Sequence, residues 1–248
     1  MPSSRSGGFW KAPDRIMDLL TVNDRPGEYP PSYYAHAAAP LPRFPAATGE
    51  IACDVAVVGG GFTGLSTAWH LAMRGYDVVL LEASRVGSGA SGRNGGQVGQ
   101  GQRLEQDELE SMVGRESARA LWDIANQSVD LVREVAARDE IHADFHPGVI
   151  HAAHRARFVP DYVAYAEKLQ SEYGYDQIRA LDREELRALV NSPAYHGGAI
   201  DMGAGHIDPL ELALGLARLP VRDTSKPSEN LGESSLHFLA NQSVHATP

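Results

Sequence analysis

Apolar and polar positions in the first third of the chain alternate in a way that predicts a strand, a helix and a second strand. Residues 54–58 and 77–82 are short runs rich in valine and leucine. The stretch between them is amphipathic at helical spacing and ends at Gly75. This order is typical of a βαβ unit. The pattern therefore predicts the beginning of a parallel α/β sheet.

Further elements follow this unit. Residues 105–138 have apolar positions at helical spacing and predict a long helix that is interrupted at Gly114. From residue 143 the pattern becomes mixed. It predicts strands around Phe145 and at 149–153, a helix at 158–173, a strand at 177–181, a small helix capped by Asp182, and a last helix at 210–218 capped by Asp208.

The turn between the two strands carries a glycine pattern. Gly59, Gly61 and Gly64 have the Gly-x-Gly-x-x-Gly spacing, in which the glycines permit a tight turn, close approach of a pyrophosphate, and close helix packing. The phosphates would lie at the helix N-terminus, where free N–H groups favour negative charge. Glu82 ends the second strand, where a carboxylate can accept hydrogen bonds from a ribose diol and would repel a 2′-phosphate. We expect dinucleotide binding, with NADP disfavoured.

Composition and charge exclude several classes of partner. The 248 residues are 43% hydrophobic and carry a formal net charge of -10, which argues against nucleic acid or an anionic membrane as partner. Cys53 is the single cysteine, so the chain can form neither an internal disulfide nor a thiolate zinc site. No run of about 20 apolar residues is present, and we expect a cytoplasmic location.

Four other groups of side chains have a functional and a simpler interpretation. A histidine-dense patch lacks the carboxylates of a metal site, so we predict no metal. Arg93 either contacts a ligand or is a solvated loop residue. Three tyrosines of the 158–173 helix are favoured as packing residues over an amine cage, and Asp208 is favoured as a helix cap over an acid/base partner of His206. The members of the patch and the tyrosine group are His142, His146, His151, His154, Tyr162, Tyr165 and Tyr173.

Two glycine-rich segments in order, residues 57–68 with 80–83 and residues 89–97, resemble the D-amino acid oxidase and glycine oxidase (DAO) family of FAD-dependent enzymes. Within it they look most like the gamma-glutamylputrescine oxidoreductase branch. The likeness runs from about Ser32 to Arg218 and includes residues 203–209. It implies an FAD-dependent oxidoreductase that oxidises the C–N bond of a small amine or amino acid, with hydride passing to flavin N5 and reoxidation by dioxygen.

The resemblance also implies where the cofactor binds. Ser91, Arg93 and Asn94 occupy the positions where some relatives carry a histidine that is attached to the flavin, so we expect a dissociable FAD. No residue is assigned as catalytic. The cofactor residues carried over onto this chain are Gly59, Gly61, Phe62, Thr63, Gly64, Glu82, Ala83, Ala90, Ser91, Arg93, Asn94, Gly95, Gly96 and Gln97.

The expected fold class is α/β: a Rossmann-like FAD-binding domain, a βαβ unit with GxGxxG, interrupted by an α+β substrate domain and incomplete at the C-terminus. The FAD-binding domain takes residues 51–140 and 205–218, and the substrate domain takes 141–204. Residues 1–50 are predicted to be a mostly irregular arm, with a short helix possible at 14–20. For this arm an unstructured leader is favoured over a docking arm.

The chain departs from the family after Arg218. Residues 219–248 are rich in Ser, Asn and Pro, offer one short apolar cluster at 236–240, and are predicted to be an aberrant, disordered tail. Family members continue further, so we expect a truncated or frameshifted chain. Two alternatives to an active oxidase stay open: a non-catalytic fragment with weak or no FAD binding, and an NAD-dependent dehydrogenase.

Overall fold

The computed structural model describes residues 27–219 and 236–240. Its helices are α1 (Tyr33–Ala37), α2 (Phe62–Ala72), α3 (Gln106–Val113), α4 (Arg115–Ala136), α5 (Val159–Tyr173), α6 (Arg183–Val190) and α7 (Pro209–Arg218). Its strands are β1 (Val55–Val58), β2 (Val78–Glu82), β3 (Gln97–Val98), β4 (His146–Ala152), β5 (Ile178–Leu181), β6 (Gly198–His206) and β7 (Leu236–Ala240).

The first sheet is parallel and has the order β1-β2-β7. Helix α2 connects β1 to β2, and its buried residues pack against the apolar side chains of β2 and α7, in one core that includes Leu65, Trp69, Leu80 and Leu214. The βαβ unit and the mixed α/β class predicted from the sequence are confirmed.

Strand β7 corrects the prediction of a disordered tail for five of its residues. It pairs with the outer edge of β2, with Val78 opposite Leu236. The ring of Phe238 stacks on Phe44 at 4.9 Å, and Ala240 donates a backbone hydrogen bond to the carbonyl of Pro45 at 2.7 Å. The prediction failed here because the free edge of β2 supplies hydrogen-bond partners that a polar tail composition does not reveal. Leu219, the first residue of the predicted tail, is also buried in the main core, and residues 220–235 and 241–248 lie outside the described residues.

The arm before β1 packs on the core where it is described, so an unstructured leader is the wrong interpretation there and a docking arm is the right one. Tyr29 donates from its hydroxyl to the carbonyl of Val86 at 2.9 Å. At the end of α1, the N–H of Ala39 donates to Glu211 of α7 at 3.0 Å, and Arg218 donates to the carbonyl of Ala39 at 2.7 Å. The short helix predicted at 14–20 lies outside the described residues.

The second sheet is antiparallel and centres on β6, which pairs with β4, β5 and β3. Helix α5 and part of α4 cover one of its faces through a core around Trp122, Leu169 and Tyr173. The sequence did not predict β6, because glycine is disfavoured in strands and occurs there at Gly198, Gly203 and Gly205.

The predicted helix boundaries are confirmed at three places. Gly114, at φ +81°, separates α3 from α4. Asp182 opens α6 with a capping box that includes Glu185, and Asp208 opens α7 by accepting from two backbone N–H groups of its first turn. Within residues 27–219 and 236–240, no helix combines the length and the apolar character that a membrane crossing requires.

Candidate dinucleotide-binding site

The glycines of the first motif are required by the geometry of the turn from β1 to α2. Gly59 has φ +102°, a conformation that side chains disfavour. A Cβ on Gly64 would lie 1.9 Å from the carbonyl oxygen of Gly59, so only glycine fits this close crossing of helix and loop. Gly61 is the residue before the helix and offers no side chain to cap it. The turn itself therefore supplies no side-chain cap for the first N–H groups of α2.

Glu82 is fixed at the end of β2 by two backbone donors. Its Oε2 accepts from the N–H of Gly60 at 2.6 Å, and its Oε1 accepts from the N–H of Ser84 at 2.8 Å. A carboxylate has about four acceptor sites, so each oxygen keeps room for a further donor. The carboxylate is thus held beside the glycine loop and can still accept from a diol.

Ser91 joins the second motif to the first. Its Oγ accepts a hydrogen bond from the N–H of Phe62, the first residue of α2, at 3.0 Å. The N–H of Gly87 donates to the carbonyl of Gly60 at 2.9 Å. The first N–H groups of a helix have no preceding turn whose carbonyls could accept from them, and Ser91 supplies one of the missing acceptors. The two motifs form one continuous surface.

Asn94 organises the second motif from within. Its Nδ2 donates to the carbonyls of Ala90 and Ser91 at 3.1 and 2.9 Å, and its Oδ1 accepts from the N–H of Gly96 at 2.8 Å. Gly96 has φ +66°, and a Cβ there would lie 2.0 Å from the carbonyl of Ile207. The segment is a structured turn that packs against the start of α7.

The other predicted cofactor residues lie at the surface around these contacts. The Nε of Arg93 donates to the carbonyl of Gly89 at 3.3 Å, and its side chain is exposed. Ligand contact by Arg93 stays a prediction. The exposed members of the predicted set are Thr63, Ala83, Ala90, Arg93, Asn94, Gly95 and Gln97.

A cavity of about 370 Å³ lies next to both motifs, within the size range of ligand pockets. Phe62, Asn94 and Gly96 form one wall, and apolar residues of α4 and α7 such as Val132 and Leu212 form the other. The cavity suits an apolar or flat group better than a charged one.

The sequence did not single out Gly60 or Gly87 as site residues. The N–H of Gly60 holds Glu82, and a Cβ on Gly60 would lie 3.0 Å from its Oε2. A Cβ on Gly87 would lie 2.9 Å from that of Ala213. The run of three glycines at 59–61 was the signal for Gly60, whereas the partner of Gly87 lies too far along the chain to be recognised.

The histidines contribute packing contacts. His146 stacks on His206 at 5.1 Å, and His154 lies 5.2 Å from the ring of Phe158. The carboxylate of Asp208 is occupied by the helix cap, as the simpler interpretation predicted. No group of three or more potential metal ligands is present among the residues that the structure describes.

Comparison with known proteins matches residues 54–223 to the family described as "DAO: FAD dependent oxidoreductase". The probable oxidoreductase OrdL of Rhizobium meliloti is 43% identical over 187 residues, which are 75% of this chain and 44% of that protein. Gamma-glutamylputrescine oxidoreductase of Escherichia coli is 41% identical over 190 residues, which are 77% of this chain and 44% of that protein.

Among solved structures, glycine oxidase from Geobacillus kaustophilus aligns with a TM-score of 0.51 and 25% identity, over 66% of this chain and 43% of that one. The chain spans less than half the length of each of these relatives.

Proposed function

This chain belongs to the DAO family of FAD-dependent oxidoreductases, and we propose on that basis that it binds FAD and oxidises the C–N bond of a small amine or amino acid. The observation that carries the proposal is the union of the two glycine-rich motifs, through Ser91 on Phe62 and Gly87 on Gly60, next to a fixed carboxylate at Glu82. In this proposal the first motif holds the adenosine diphosphate half of the cofactor.

The residues present fit that half of FAD. Gly59 and Gly64 allow the tight turn and the close crossing that place the start of α2 beside β1, and the positive end of the helix dipole favours a pyrophosphate there. Glu82 keeps acceptor capacity for the ribose hydroxyls, because its two backbone donors use only part of it. A 2′-phosphate next to this carboxylate would be repelled, which favours FAD over a phosphorylated dinucleotide.

The second motif serves the flavin half in this proposal. Residues 90–97 form a turn held by the hydrogen bonds of Asn94, and the cavity beside Gly96 and Gln97 leaves space against its backbone. When bound, the flavin supplies the redox chemistry, as the acceptor of a hydride from the carbon next to nitrogen. The chain orients the cofactor. The division into an FAD-binding domain at 51–140 and 205–218 and a substrate domain at 141–204 is part of the proposal.

The substrate class is supported by the names of the relatives. One is a gamma-glutamylputrescine oxidoreductase, whose name indicates an amine substrate, and one is a glycine oxidase, whose name indicates an amino acid. We extend the shared feature, a small molecule with an oxidisable C–N bond, to this chain. The net charge of -10 is compatible with a cationic or zwitterionic substrate.

The test is the visible absorption spectrum of the purified full chain, followed by heat release and chromatography of any chromophore. The proposal predicts a yellow protein that releases FAD in a stoichiometric amount. Release of NAD would indicate a dehydrogenase. A colourless chain that also fails to take up added FAD would overturn the proposal and favour the non-catalytic fragment.

A further inference from the structure

A second cavity, of about 260 Å³, lies on the helix-covered face of the antiparallel sheet, and none of its lining residues belongs to the two glycine-rich motifs. Trp122 of α4, Tyr162 and Tyr165 of α5, and Asp201 of β6 contribute to its walls, and Gln100, two residues after β3, also lines it. An aromatic cavity with a carboxylate in its wall is unusual in a protein interior, where acidic residues are rarely buried.

Asp201 is a buried carboxylate, and only one of its two oxygens accepts hydrogen bonds from the described residues. The residue is 8% exposed. Three donors reach Oδ1: the hydroxyl of Tyr175 at 2.6 Å and the backbone N–H groups of Gly203 and Ala204 at 2.9 and 3.2 Å. No hydrogen bond from the described part of the chain ends on Oδ2. Because buried charges require partners, the second oxygen calls for a donor from outside the chain.

Gln100 also has a side-chain oxygen that accepts no hydrogen bond from the described residues. Its Nε2 donates to the hydroxyl of Tyr175 at 2.7 Å. Its Oε1 is buried without a partner among the described residues. Burial, and then the hydrogen bond to Asp201, raise the pKa of Tyr175, so its hydroxyl stays protonated and donates a hydrogen bond to Asp201. The hydrogen bonds from Gln100 to Tyr175 and from Tyr175 to Asp201 therefore run in one direction, and they leave Oδ2 of Asp201 without a donor from the described residues.

The charges around the cavity leave Asp201 without a side-chain counter-ion. Arg103 and Glu105 both line the cavity and contribute one charge of each sign. Arg133, a further cation whose charge acts on Tyr175, donates to the carbonyl of Gly203 at 2.5 Å and lies over the ring of Phe145 at 4.6 Å. Its guanidinium therefore serves the backbone rather than the carboxylate.

We propose that this cavity binds a small organic ammonium ion, with its N–H groups on Oδ2 of Asp201 and its body against Trp122, Tyr162 and Tyr165. Aromatic faces attract such a cation, and a carboxylate acceptor makes each hydrogen bond stronger than a neutral one. The site is separate from the proposed flavin site. Its occupation does not depend on FAD, so a chain that binds no flavin can still show it.

The test is isothermal titration calorimetry of the full chain at pH 8, because His151 also lines the cavity and an ordinary imidazole is neutral at that pH. The probe is benzylammonium chloride, and benzyl alcohol is its uncharged counterpart. We expect benzylammonium to bind at millimolar concentration or below and the alcohol to bind at least about tenfold more weakly, since it lacks the charge and two donors. Equal binding of the two, or no binding of the cation, would overturn the proposal.

Substitutions locate the site. Asp201→Asn should weaken benzylammonium binding about tenfold or more, whereas the exposed Asp176→Asn should leave it unchanged. Because Asp201 also holds two backbone N–H groups, Asp201→Asn can fail to fold, and Tyr162→Leu, which removes an aromatic wall of the cavity, then decides. Weaker binding in a folded Tyr162→Leu chain supports the site, and unchanged binding contradicts it. Circular dichroism establishes that each variant is folded.

Discussion

The Oγ of Ser91 lies 3.0 Å from the backbone nitrogen of Phe62 and accepts its hydrogen bond, although the two residues are 29 positions apart. Ser91 thus acts on α2 as the missing N-cap, since Gly61 has no side chain for that role. This single contact couples the conformation of the second motif to the start of the helix that receives a pyrophosphate. The two motifs should therefore gain or lose ligand affinity together.

Ser91→Ala removes this acceptor from the start of α2. We expect a loss of about 1 kcal/mol in the free energy of unfolding, as for other cap substitutions, and a weaker affinity for FAD. Urea unfolding and flavin fluorescence titration measure the two effects. The matched control is Ser88→Ala, whose hydroxyl makes no hydrogen bond to the described residues. Equal behaviour of the two variants would contradict the coupling.

Gly64→Ala tests the close approach of α2 to the first turn. The new Cβ would lie 1.9 Å from the carbonyl oxygen of Gly59, so the loop has to move. We expect loss of FAD binding and a lower midpoint of thermal unfolding. Gly89→Ala is the control, because nothing lies within 4 Å of its Cβ and its φ is -79°. A Gly64→Ala chain as stable as the control would show that the crossing is looser than described.

Glu82→Gln replaces one of the two carboxylate oxygens, each of which accepts from a backbone N–H group, with an amide NH2 group. The amide of glutamine can accept from only one of the N–H groups of Gly60 and Ser84. Leaving the other unpaired costs about 1 to 3 kcal/mol of unfolding free energy if it stays buried. FAD affinity should also fall, because the ribose loses a charged acceptor. The exposed Glu134→Gln serves as the control in the same denaturation and titration series.

Phe238→Ala tests whether β7 contributes to stability. The ring stacks on Phe44 and packs against the main core while remaining half-buried. We expect a loss of about 1 to 3 kcal/mol in unfolding free energy, below the usual range for a fully buried phenylalanine. His237→Ala, on the exposed face of the same strand, should change little. Two identical urea curves would show that β7 does not hold the edge of β2.

Glu110 makes the stability of the chain sensitive to acid. A hydrogen bond from Tyr173 at 2.6 Å, and then one from Lys168 at 3.0 Å, lower the pKa of Glu110 below its ordinary value of 4.5. The stabilisation is therefore complete above pH 4.5 and is lost as pH falls through the folded-state pKa.

Substitution of Glu110 should flatten this acid limb. In Glu110→Gln the unfolding free energy should fall less steeply below pH 4.5 than in the unsubstituted chain. Urea unfolding at a series of pH values measures the slope. The exposed Glu108→Gln, in the same helix, should keep the original slope. An unchanged slope in Glu110→Gln would show that the carboxylate titrates normally in the folded chain.

The sequence predicted the parts of the site that lie close together along the chain. The βαβ unit, Glu82, and the caps at Asp182 and Asp208 follow from spacing over a few turns, and the structure has all of them. The contact of Ser91 with Phe62 could not be predicted, because it depends on how a loop folds back over the helix start.

Strand β6 escaped prediction for a different reason. Its glycines look like loop residues, yet they are there because neighbours come close: a Cβ on Gly203 would lie 1.8 Å from the hydroxyl of Tyr175, and one on Gly205 would lie 2.4 Å from the carbonyl of His146. The tyrosines of α5 were predicted to be packing residues. Tyr162 and Tyr165 do pack against the second core, but they also line a cavity with Asp201, a neighbour that the sequence alone did not reveal.

The most direct test of the central claim is an equilibrium titration of the flavin-free full chain with FAD, with FMN and ADP as comparison ligands. We assign recognition to the adenosine diphosphate half, through the backbone at Gly61 and the carboxylate of Glu82. We predict that FAD binds, that ADP competes with it, and that FMN binds far more weakly. FMN binding as tight as that of FAD, or no competition by ADP, would contradict the account.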